Sequence, residues 1–575
     1  MTRPNVRPGI AALIVGTLLA AAVAAPPETQ SRVIDVADMA PASKPRLRRS
    51  LSKLVLFRVR ASQQSVREVL PDPEQHGVAD EFSASSIADL LSVIAREVDV
   101  EFDATTEGTQ IAMRGSPEAL QRADDAAEIL RRIAGRPARV EVLDLLLPHG
   151  VPVPPQPDQA AIVALRRQDL RGGVRMLSMD LDPGCWRLSE AVRGARRLVD
   201  VDVEIAQDAA IADPIVRRVE EGVRVFARGA PLTDGRFLLR VLASSADLTD
   251  APRRLALGQD ELGELDLPEL DAGFVSTEML LEAGRTQSIV LSRPEGEQRV
   301  LLFRLAEPAL ENVGGTLRGV PIGAFSRAHP LLSLVASDLG PHREETPLDV
   351  IASDGEFDRL SRDFAVQVIE RVMESDFDED RATGDVLGWI LGGAYLLRGP
   401  AASLDRAQAA IAQLERQVFR PARLSVRIEE RPVDGGPARQ IGHVSAPVAQ
   451  GLPTALAAYR QLAFVSDYDV EVAEKSQIAD PLVGVALAGI LVNAIVADTG
   501  HGAHMVTAQV RVSAIDTPQG RGFGATDVGT LEIVNEETRY ADVHVRTTAA
   551  RPGEVNMGPS PFNDSAVLVA VFIVE

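Results

Sequence analysis

Hydrophobic residues recur at helical spacing in two parts of the chain, residues 81–145 and residues 351–429. Short apolar runs lie beside the helical patterns in each part. In the first part, leucine, isoleucine and valine recur every three or four residues, which predicts helices. The second helix begins at Ser116-Pro117-Glu118, a typical N-terminal cap. The predicted order is helix, strand, strand, helix, strand over residues 87–98, 100–102, 109–113, 115–133 and 138–145. This order predicts a small α+β module at residues 81–145, with helices on one face of a sheet.

The second part repeats this plan in residues 351–429. Helices are predicted at residues 364–373 and 403–418, and a strand is predicted at 423–429. Residues 386–397 predict strands interrupted by Gly392-Gly393. The two parts therefore share one predicted element order.

Each small module is followed by a region with a strand-like pattern, at residues 146–308 and 430–575. Short apolar runs separated by glycine, proline and aspartate predict sandwich-like β modules. The apolar run at residues 567–574 is too short for a membrane helix. It predicts a strand buried on both faces, and a lipid-facing strand is the alternative.

Two pairs of sequence blocks recur in the same order. Residues 200–216 (DVDVEIAQDAAIADPIV) match residues 467–483 (DYDVEVAEKSQIADPLV) at ten of 17 positions, with an offset of 267. Residues 113–123 (MRGSPEALQRA) match 397–407 (LRGPAASLDRA) with an offset of 284. The predicted fold is therefore α+β and tandemly duplicated, and each half is a helix-on-sheet module followed by a β-rich module.

The first residues predict export. Arg3 and Arg7 precede a short apolar segment and a small-residue cleavage signal, so residues 1–25 resemble a secretory signal peptide; an uncleaved anchor is the alternative. No later stretch has the ~20 apolar residues that a membrane helix needs. Residues 26–80 and 309–350 are predicted to be linkers, and the basic run 44–49 lies in the first of them.

Composition excludes several function classes. The net charge of −22 and the aromatic content of 4% argue against nucleic-acid binding. Cys185 is the single cysteine, so the chain contains neither an internal disulfide nor a thiolate metal cluster.

Several residues suggest chemistry without completing a site. His501 and His504 lack a visible third metal ligand, and a solvated turn is the simpler interpretation. Asp213-Pro214 and Asp480-Pro481 are interpreted as turns at strand ends. The strand acids Asp202, Glu204, Asp469 and Glu471 are interpreted as a solvated face, and a cation site is the alternative. We expect no catalytic, cofactor-binding or metal-ligating residues, no cofactor and no enzyme activity.

The helix-plus-strand segments resemble the periplasmic ring-building domains of bacterial secretins. The resemblance is carried by RGSPEALQRADDAAEILRRI followed by RPARVEV, at residues 114–133 and 136–142. The β regions are similar to degenerate copies of the C-terminal domain of secretins from type II and type III secretion systems. Secretins present one such β domain with a long amphipathic hairpin and a glycine gate. Neither half shows a clear hairpin of this kind. Gly392-Gly393 lies in the second small module and not in a β region, so it does not match the gate.

The resemblance implies a structural role in the envelope of a Gram-negative-type bacterium, in the periplasm or at the outer membrane. The expected function is a ring or scaffold, with a protein-secretion channel as one form of it. The expected partners are further copies of the chain or other secretion components. A soluble periplasmic protein that binds a ligand or partner, without forming a pore, is the alternative.

Overall fold

A computed structural model describes most of the chain, and it divides into two compact units. The first unit contains the described residues up to 131, and the second contains those that follow. The described residues are 29–36, 84–96, 99, 101–134, 138–173, 175–181, 186–206, 209–248, 253–256, 264–294, 296–307, 317–322, 324–325, 362–374, 387–391, 394–472, 477–516, 519–523, 529–548 and 550–575.

The first unit is a three-stranded antiparallel sheet with two helices. Its elements are β1 (Gln30–Asp35), α1 (Ala84–Arg96), β2 (Asp103–Glu107), β3 (Gln110–Gly115) and α2 (Pro117–Ala134). The strand order is β1-β3-β2. Ser116 caps α2, because its hydroxyl accepts the Ala119 N–H at 3.3 Å. The apolar stripes of both helices are buried with Ile111 and Met113 of β3.

The second unit begins with a long β-rich stretch. Its first elements are β4 (Ala138–Leu147), α3 (Gln159–Arg167), β5 (Arg175–Leu181), β6 (Trp186–Ala206), β7 (Ala209–Pro231), β8 (Phe237–Leu248), β9 (Arg253–Ala256), β10 (Glu264–Leu267), β11 (Glu269–Leu281), β12 (Thr286–Ser292) and β13 (Gln298–Glu307). Asp158 caps α3 by accepting the Ala161 N–H.

A second small module follows in the chain. Its elements are β14 (Leu317–Pro321), α4 (Arg362–Glu374), β15 (Leu387–Leu391), β16 (Ala394–Arg398) and α5 (Ala401–Val418). Its strand order is β14-β16-β15. Apolar residues of α4, α5 and β16 form one buried cluster with Leu238, Leu280 and Leu452 of the large β region. This packing joins the module to the large β region.

The last part of the second unit is again almost entirely strands. It consists of β17 (Pro421–Pro432), β18 (Arg439–Ala449), β19 (Pro453–Val472), β20 (Gln477–Gly500), β21 (Ala503–Ile515), β22 (Gln519–Phe523), β23 (Gly529–Ile533), β24 (Glu536–Thr548), β25 (Gly553–Pro559) and β26 (Ala566–Val574). Mostly β structure and five described helices agree with the β-rich expectation.

Two eight-stranded antiparallel sheets pack face to face. The long-strand sheet has the order β24-β21-β20-β19-β11-β8-β7-β6, and the short-strand sheet has the order β25-β26-β17-β18-β12-β13-β4-β5. Alternate residues along strands such as β17 are buried, as the two-residue period of a strand requires. One apolar cluster between the sheets draws side chains from both. The run at residues 567–574 lies in β26, which has a paired strand on each side and buried residues on both faces, and this confirms that prediction.

The strand pairings of the first half recur in the second half. Strands β4 to β13 pair among themselves in the same pattern as β17 to β26, strand for strand. Both long hairpins also carry a bulge at the same place, between Leu198 and Asp200 and between Val465 and Asp467. The small modules follow the same rule, because β1-β3-β2 and β14-β16-β15 have one order.

Several predicted boundaries are wrong. The strands predicted at residues 138–145 and 423–429 belong to the short-strand sheet, as β4 and β17, and not to the small modules. The third strand of each small sheet comes from a segment predicted as linker, namely β1 within 26–80 and β14 within 309–350. A single short strand carries too weak a period to be recognised among turn residues.

The signal-peptide segment 1–25, the basic run 44–49 and Cys185 lie outside the described residues. No helix in the described part of the chain has the length and apolar character that membrane crossing demands.

Candidate assembly surface

The two sheets stop together at both ends of the sandwich. The first end consists of β5 and β6, and the second end consists of β24 and β25. Among the described strands, none pairs with the outer side of these four. Each end therefore presents two adjacent rows of backbone N–H and C=O groups, and such edges favour the addition of another strand.

The two halves meet in the middle of the long-strand sheet, where β11 pairs with β19. Eight residue pairs run from Glu269 opposite Leu462 to Ser276 opposite Ala455. Asp271 lies directly opposite Arg460. The Arg460 guanidinium forms a salt bridge with Glu269, which lies two residues before Asp271 on β11. Burial lowers the pKa of Arg460, and the Glu269 carboxylate compensates its charge. Asp271 forms its own salt bridge with Arg293 at 2.8 Å.

The halves also meet in the short-strand sheet, where β12 pairs with β18. Val290, Leu291 and Ser292 lie opposite Ser445, Val444 and His443. His443 is hydrogen-bonded to Ser425 at 2.8 Å. Burial, together with the charges of Arg423 and Arg427, lowers the pKa of His443 to about 4. This histidine is therefore neutral at pH 7 and acts as a packed polar group of the junction.

Side chains also connect the halves across the junction. The Thr277 hydroxyl on β11 donates to the Pro447 carbonyl on β18 at 2.9 Å. Arg253 of β9 forms a salt bridge with Glu532 of β23. The same carboxylate accepts the Val465 N–H of β19 at 2.9 Å. A buried, charge-assisted contact of this kind holds the small β9–β10 and β22–β23 hairpins against the long strands.

Each half contains a long β-hairpin, contrary to the expectation from sequence. Strands β6 and β7 pair over 20 residue pairs, and β19 and β20 pair over 19. The repeated blocks at residues 200–216 and 467–483 lie at the tips of these hairpins. The sequence pattern was interpreted as several short strands, because strands of 20 or more residues far exceed the ordinary strand length. The long hairpins were therefore not predicted.

The interpretation of the Asp-Pro pairs as turns is wrong. Asp213 and Pro214 lie within β7, opposite Asp202 and Val201. Asp480 and Pro481 hold the matching places in β20. β8 pairs with β7 only from Gly222 onward. Pro214 is therefore tolerated, since one side of β7 has no paired neighbour there that needs an N–H.

A buried ion cluster lies between the sheets in the first half. Asp144 accepts hydrogen bonds from Ser245 at 2.9 Å and from Arg171 at 3.0 Å. Asp247 bonds to Arg171 at 2.6 Å and to Arg299 at 2.7 Å. Burial would raise the pKa of Asp247, but Arg299 and Arg171 lower it well below its ordinary value. Each carboxylate is thus occupied by arginine, an arrangement that stabilises structure and leaves no base poised for catalysis.

The matching positions in the second half are apolar. The strand pairings place Ile428 where the first half has Asp144, Ala514 where it has Asp247, and Leu568 where it has Arg299. Sequence reasoning missed the cluster, because its members come from four separate stretches of the chain. The signal available was the polar residue Asp144 inside an otherwise apolar strand, an exception to the burial rule.

Two of the acids singled out for chemistry meet across each long hairpin: Asp202 lies opposite Asp213, and Asp469 lies opposite Asp480. His501 lies in the turn between β20 and β21 with a positive φ of 57° and is exposed, as the turn interpretation predicts. His504 follows on β21. Within the described residues, no group of three metal-ligating side chains occurs.

A charged surface groove lies on the first unit, between β1 and α2. It has a volume of about 430 Å³ and is lined by Arg32, Val33, Ile34, Asp35, Asp124, Asp125, Glu128 and Arg131. Arg32 forms a salt bridge with Asp124, and Arg131 donates to the Asp35 carbonyl at 2.8 Å. Two arginines and four carboxylates line the groove, so its lining is net acidic.

One carboxyl connects the second small module to the sheets. Glu415 of α5 is almost fully buried and accepts the Thr233 N–H at 2.9 Å. Burial raises the pKa of Glu415 to about 7, although the Thr233 hydrogen bonds act in the opposite direction. Its other oxygen, Oε1, is buried without a hydrogen-bond partner. Burial and the bare oxygen both favour the neutral acid.

Comparisons with known proteins gave weak matches only. No family model and no curated protein matches the chain. The secretin domain β-barrel of InvG from the Salmonella SPI-1 injectisome is 13% identical and covers 36% of this chain and 78% of its own, with a TM-score of 0.20. The Klebsiella pneumoniae type II secretion outer membrane complex (PulD, PulS and the PulC HR domain) is 9% identical and covers 89% of this chain and 76% of its own, with a TM-score of 0.16. Similarity at this level carries no argument about the function of this chain.

Proposed function

We propose that this protein is an exported structural component of a bacterial cell envelope that assembles with copies of itself. The assembly is a ring or scaffold, and its most specific form is the wall of a protein-secretion channel. The observation that carries the proposal is that both sheets end in open strands at both ends of the sandwich. Open edges of this length are normally covered, bent or blocked in a monomer.

The proposal includes a tandem duplication. Ten strands of the first half correspond to ten of the second in order and pairing, which supports descent from one ancestral unit. The equivalent bulges in the two long hairpins support it further. The constant sequence offsets at the repeated blocks agree with this. A repeated unit that already packs against its own copy favours further packing of the same kind.

We further propose that the protein acts by packing and not by catalysis. The buried carboxylates of the first half are paired with arginines. His443 is a neutral packed group. The resemblance of residues 114–142 to secretin ring-building domains supports an envelope role, and the signal-peptide pattern of residues 1–25 supports export.

The mass of the purified protein tests this function. The exported chain, extracted from envelopes in mild detergent, is measured by size-exclusion chromatography with light scattering and imaged by negative stain. We expect particles several times the 61.5 kDa of one chain, with annular or arc-shaped images. A monodisperse monomer at micromolar concentration would contradict the proposal and support the soluble-binding alternative.

A further inference from the structure

We propose that the first end of one chain joins the second end of the next chain in the register already present between its own two halves. The inference rests on the proposed self-assembly and specifies its interface and partner, a second copy of this chain. β6 of the first half corresponds to β19 of the second, and β24 corresponds to β11. The pair β11–β19 is formed inside the chain, so β24 and β6 are the two strands left to form the same pair again.

The transferred register follows from the strand pairings. Val192 and Tyr459 are equivalent, because they lie opposite Gly222 and Gly489 in the two hairpins. Ala272 and Thr538 are equivalent, because the pairings of β8 and β21 connect them to the same two glycines. Ala272 lies opposite Tyr459 at the internal junction. Thr538 of one chain therefore lies opposite Val192 of the next chain. One-residue slips are disfavoured, because they would invert the buried face of the added strand.

Charges at the two open edges match the internal junction. Inside the chain, Asp271 lies opposite Arg460. When the internal register is applied to the two open edges, Glu537 of one chain lies opposite Arg193 of the next chain. In the transferred register residues 535–542 face residues 188–195. Residues 535–542 contain three acids and one arginine, and residues 188–195 contain Arg193 and Glu190, with Arg187, Arg196 and Arg197 flanking them. An acid and an arginine therefore recur at equivalent register positions, although Asp271 pairs with Arg293 and Glu537 with Arg539 inside one chain. The acids of β24 and the arginines in and beside the paired part of β6 favour this pairing over joining two identical ends.

The short-strand sheet supplies a second contact at the same ends. β5 corresponds to β18, and β25 corresponds to β12. When the internal pairing of β12 with β18 is applied to these two strands, Ser178 lies opposite Asn556 of a neighbouring chain, and Met176 lies opposite its Pro559. Met176 is 64% exposed on this edge, which is unusual for a methionine. The docked strand β25 would cover it.

Each half of the sandwich forms one wedge of the wall, so one chain supplies two wedges. Junctions inside a chain and junctions between chains alternate around the assembly and share one geometry. Head-to-tail contacts of this kind generate a closed ring when the rotation per wedge divides a full turn, and a helical filament otherwise. A ring built in this way contains twice as many wedges as chains.

Engineered disulfides test the register. In a Cys185→Ser background, Thr538→Cys with Val192→Cys is expected to give a ladder of covalent multimers on a non-reducing gel after mild oxidation. The matched control Thr538→Cys with Glu190→Cys is shifted by two residues, about 7 Å along the strand. It is expected to give no ladder, because disulfides need Cα atoms within about 7 Å. Ala272→Cys with Tyr459→Cys reports the internal junction and is expected to cross-link within one chain.

Charge reversal provides a second test. Arg193→Glu alone and Glu537→Arg alone are expected to shift the assembly toward single chains at low salt, by tenfold or more in dissociation constant. The double variant is expected to recover assembly. Rescue distinguishes an interface from a fold defect, since Arg193 also contacts Glu221 within its own chain, and reversing Glu537 cannot repair that contact.

The outcomes separate this inference from the proposed function. Large particles that give no ladder with the Thr538–Val192 pair, or a stronger ladder with the shifted control, would overturn the register and leave self-assembly standing. A failure of the double charge reversal to restore assembly would also count against it. If the unmodified chain forms no particle, the proposed function itself is wrong.

Discussion

Gly222 and Gly489 occupy equivalent positions in β7 and β20, where the backbone of a neighbouring strand lies unusually close. Both have positive φ values, 136° and 152°. A Cβ at Gly222 would lie 2.2 Å from the Ala191 carbonyl oxygen, and one at Gly489 would lie 2.2 Å from that of Ala458. Only glycine fits such a backbone and such an approach. The two glycines therefore fix how closely the strands of each hairpin pack.

Alanine at either position is expected to destabilise the protein. The clash is with backbone, which cannot move aside without distorting the sheet, so Gly222→Ala and Gly489→Ala should each lower the free energy of unfolding by about 1–3 kcal/mol or more. The control is Gly173→Ala, because no atom lies within 4 Å of a Cβ there. Chemical denaturation of the three variants measures the difference. Equal midpoints would refute the close-approach account.

Glu415 is a titrating residue at the contact between α5 and the β7–β8 turn. Its pKa is raised by burial to about 7, above the ordinary 4.5. The folded state therefore holds the proton more tightly than the unfolded state. Its contribution to stability is full below about pH 4.5, falls as the pH rises toward 7, and is lost above that. The total loss is on the order of 3 kcal/mol.

Glu415→Gln should remove this pH dependence. Glutamine keeps the shape of the neutral acid and an oxygen that accepts from Thr233, and it does not ionise. We expect the melting temperature of the variant to exceed that of the wild type at pH 8 and to match it closely at pH 4.5. Thermal scans across this range provide the measurement. Parallel wild-type and variant profiles would show that Glu415 does not titrate in this window.

At the scale of elements, the two halves share their strands and differ in what fills them. The first half contains the Asp144 ion cluster, and the second half contains Ile428 at the matching place. Such a difference is possible because the same backbone pairing is compatible with different core side chains of similar volume.

Removing Asp144 should be costly. It is fully buried and contacts Ser245, Arg171 and Arg175. In Asp144→Ala these arginines lose a buried counter-charge, so the free energy of unfolding should fall by about 3–5 kcal/mol. Ile428→Val at the matching place should cost only about 0.5–1.5 kcal/mol. Urea denaturation compares them, and similar losses would mean that the cluster has no special weight.

Four of the five described helices were predicted, and α3 (Gln159–Arg167) was missed within the region 146–308 that was predicted to be strands. The stripe of leucines and isoleucines and the Ser116 cap place α2 almost to the residue. Strands were placed less well, because pairing is decided by distant partners. The strand at residues 138–145 was recognised, but its neighbours β5 and β13 lie far along the chain, so it was assigned to the wrong sheet. The repeated blocks identified both hairpin tips, although not as hairpins, since periodicity does not report where a strand turns back.

At the scale of the whole molecule, the ends of the sandwich were invisible in the sequence. Arg193 and Glu537 are unremarkable in a charged protein, and only the sheet order places them on opposite open edges. The constant offset of 267 between blocks was a usable signal. This offset relates Val192 to Tyr459, which makes the open edge of β6 equivalent to the edge of β19 that is paired at the internal junction.

Electron cryo-microscopy of particles purified from envelopes tests the central claim most directly, because it counts wedges and chains together. The chain number is obtained from the particle mass and the 61.5 kDa chain, and the wedge number from class averages viewed along the axis. We predict a closed ring with an even number of wedges, two for each chain. A particle with one wedge per chain, or isolated single chains at the same concentration, would contradict the account.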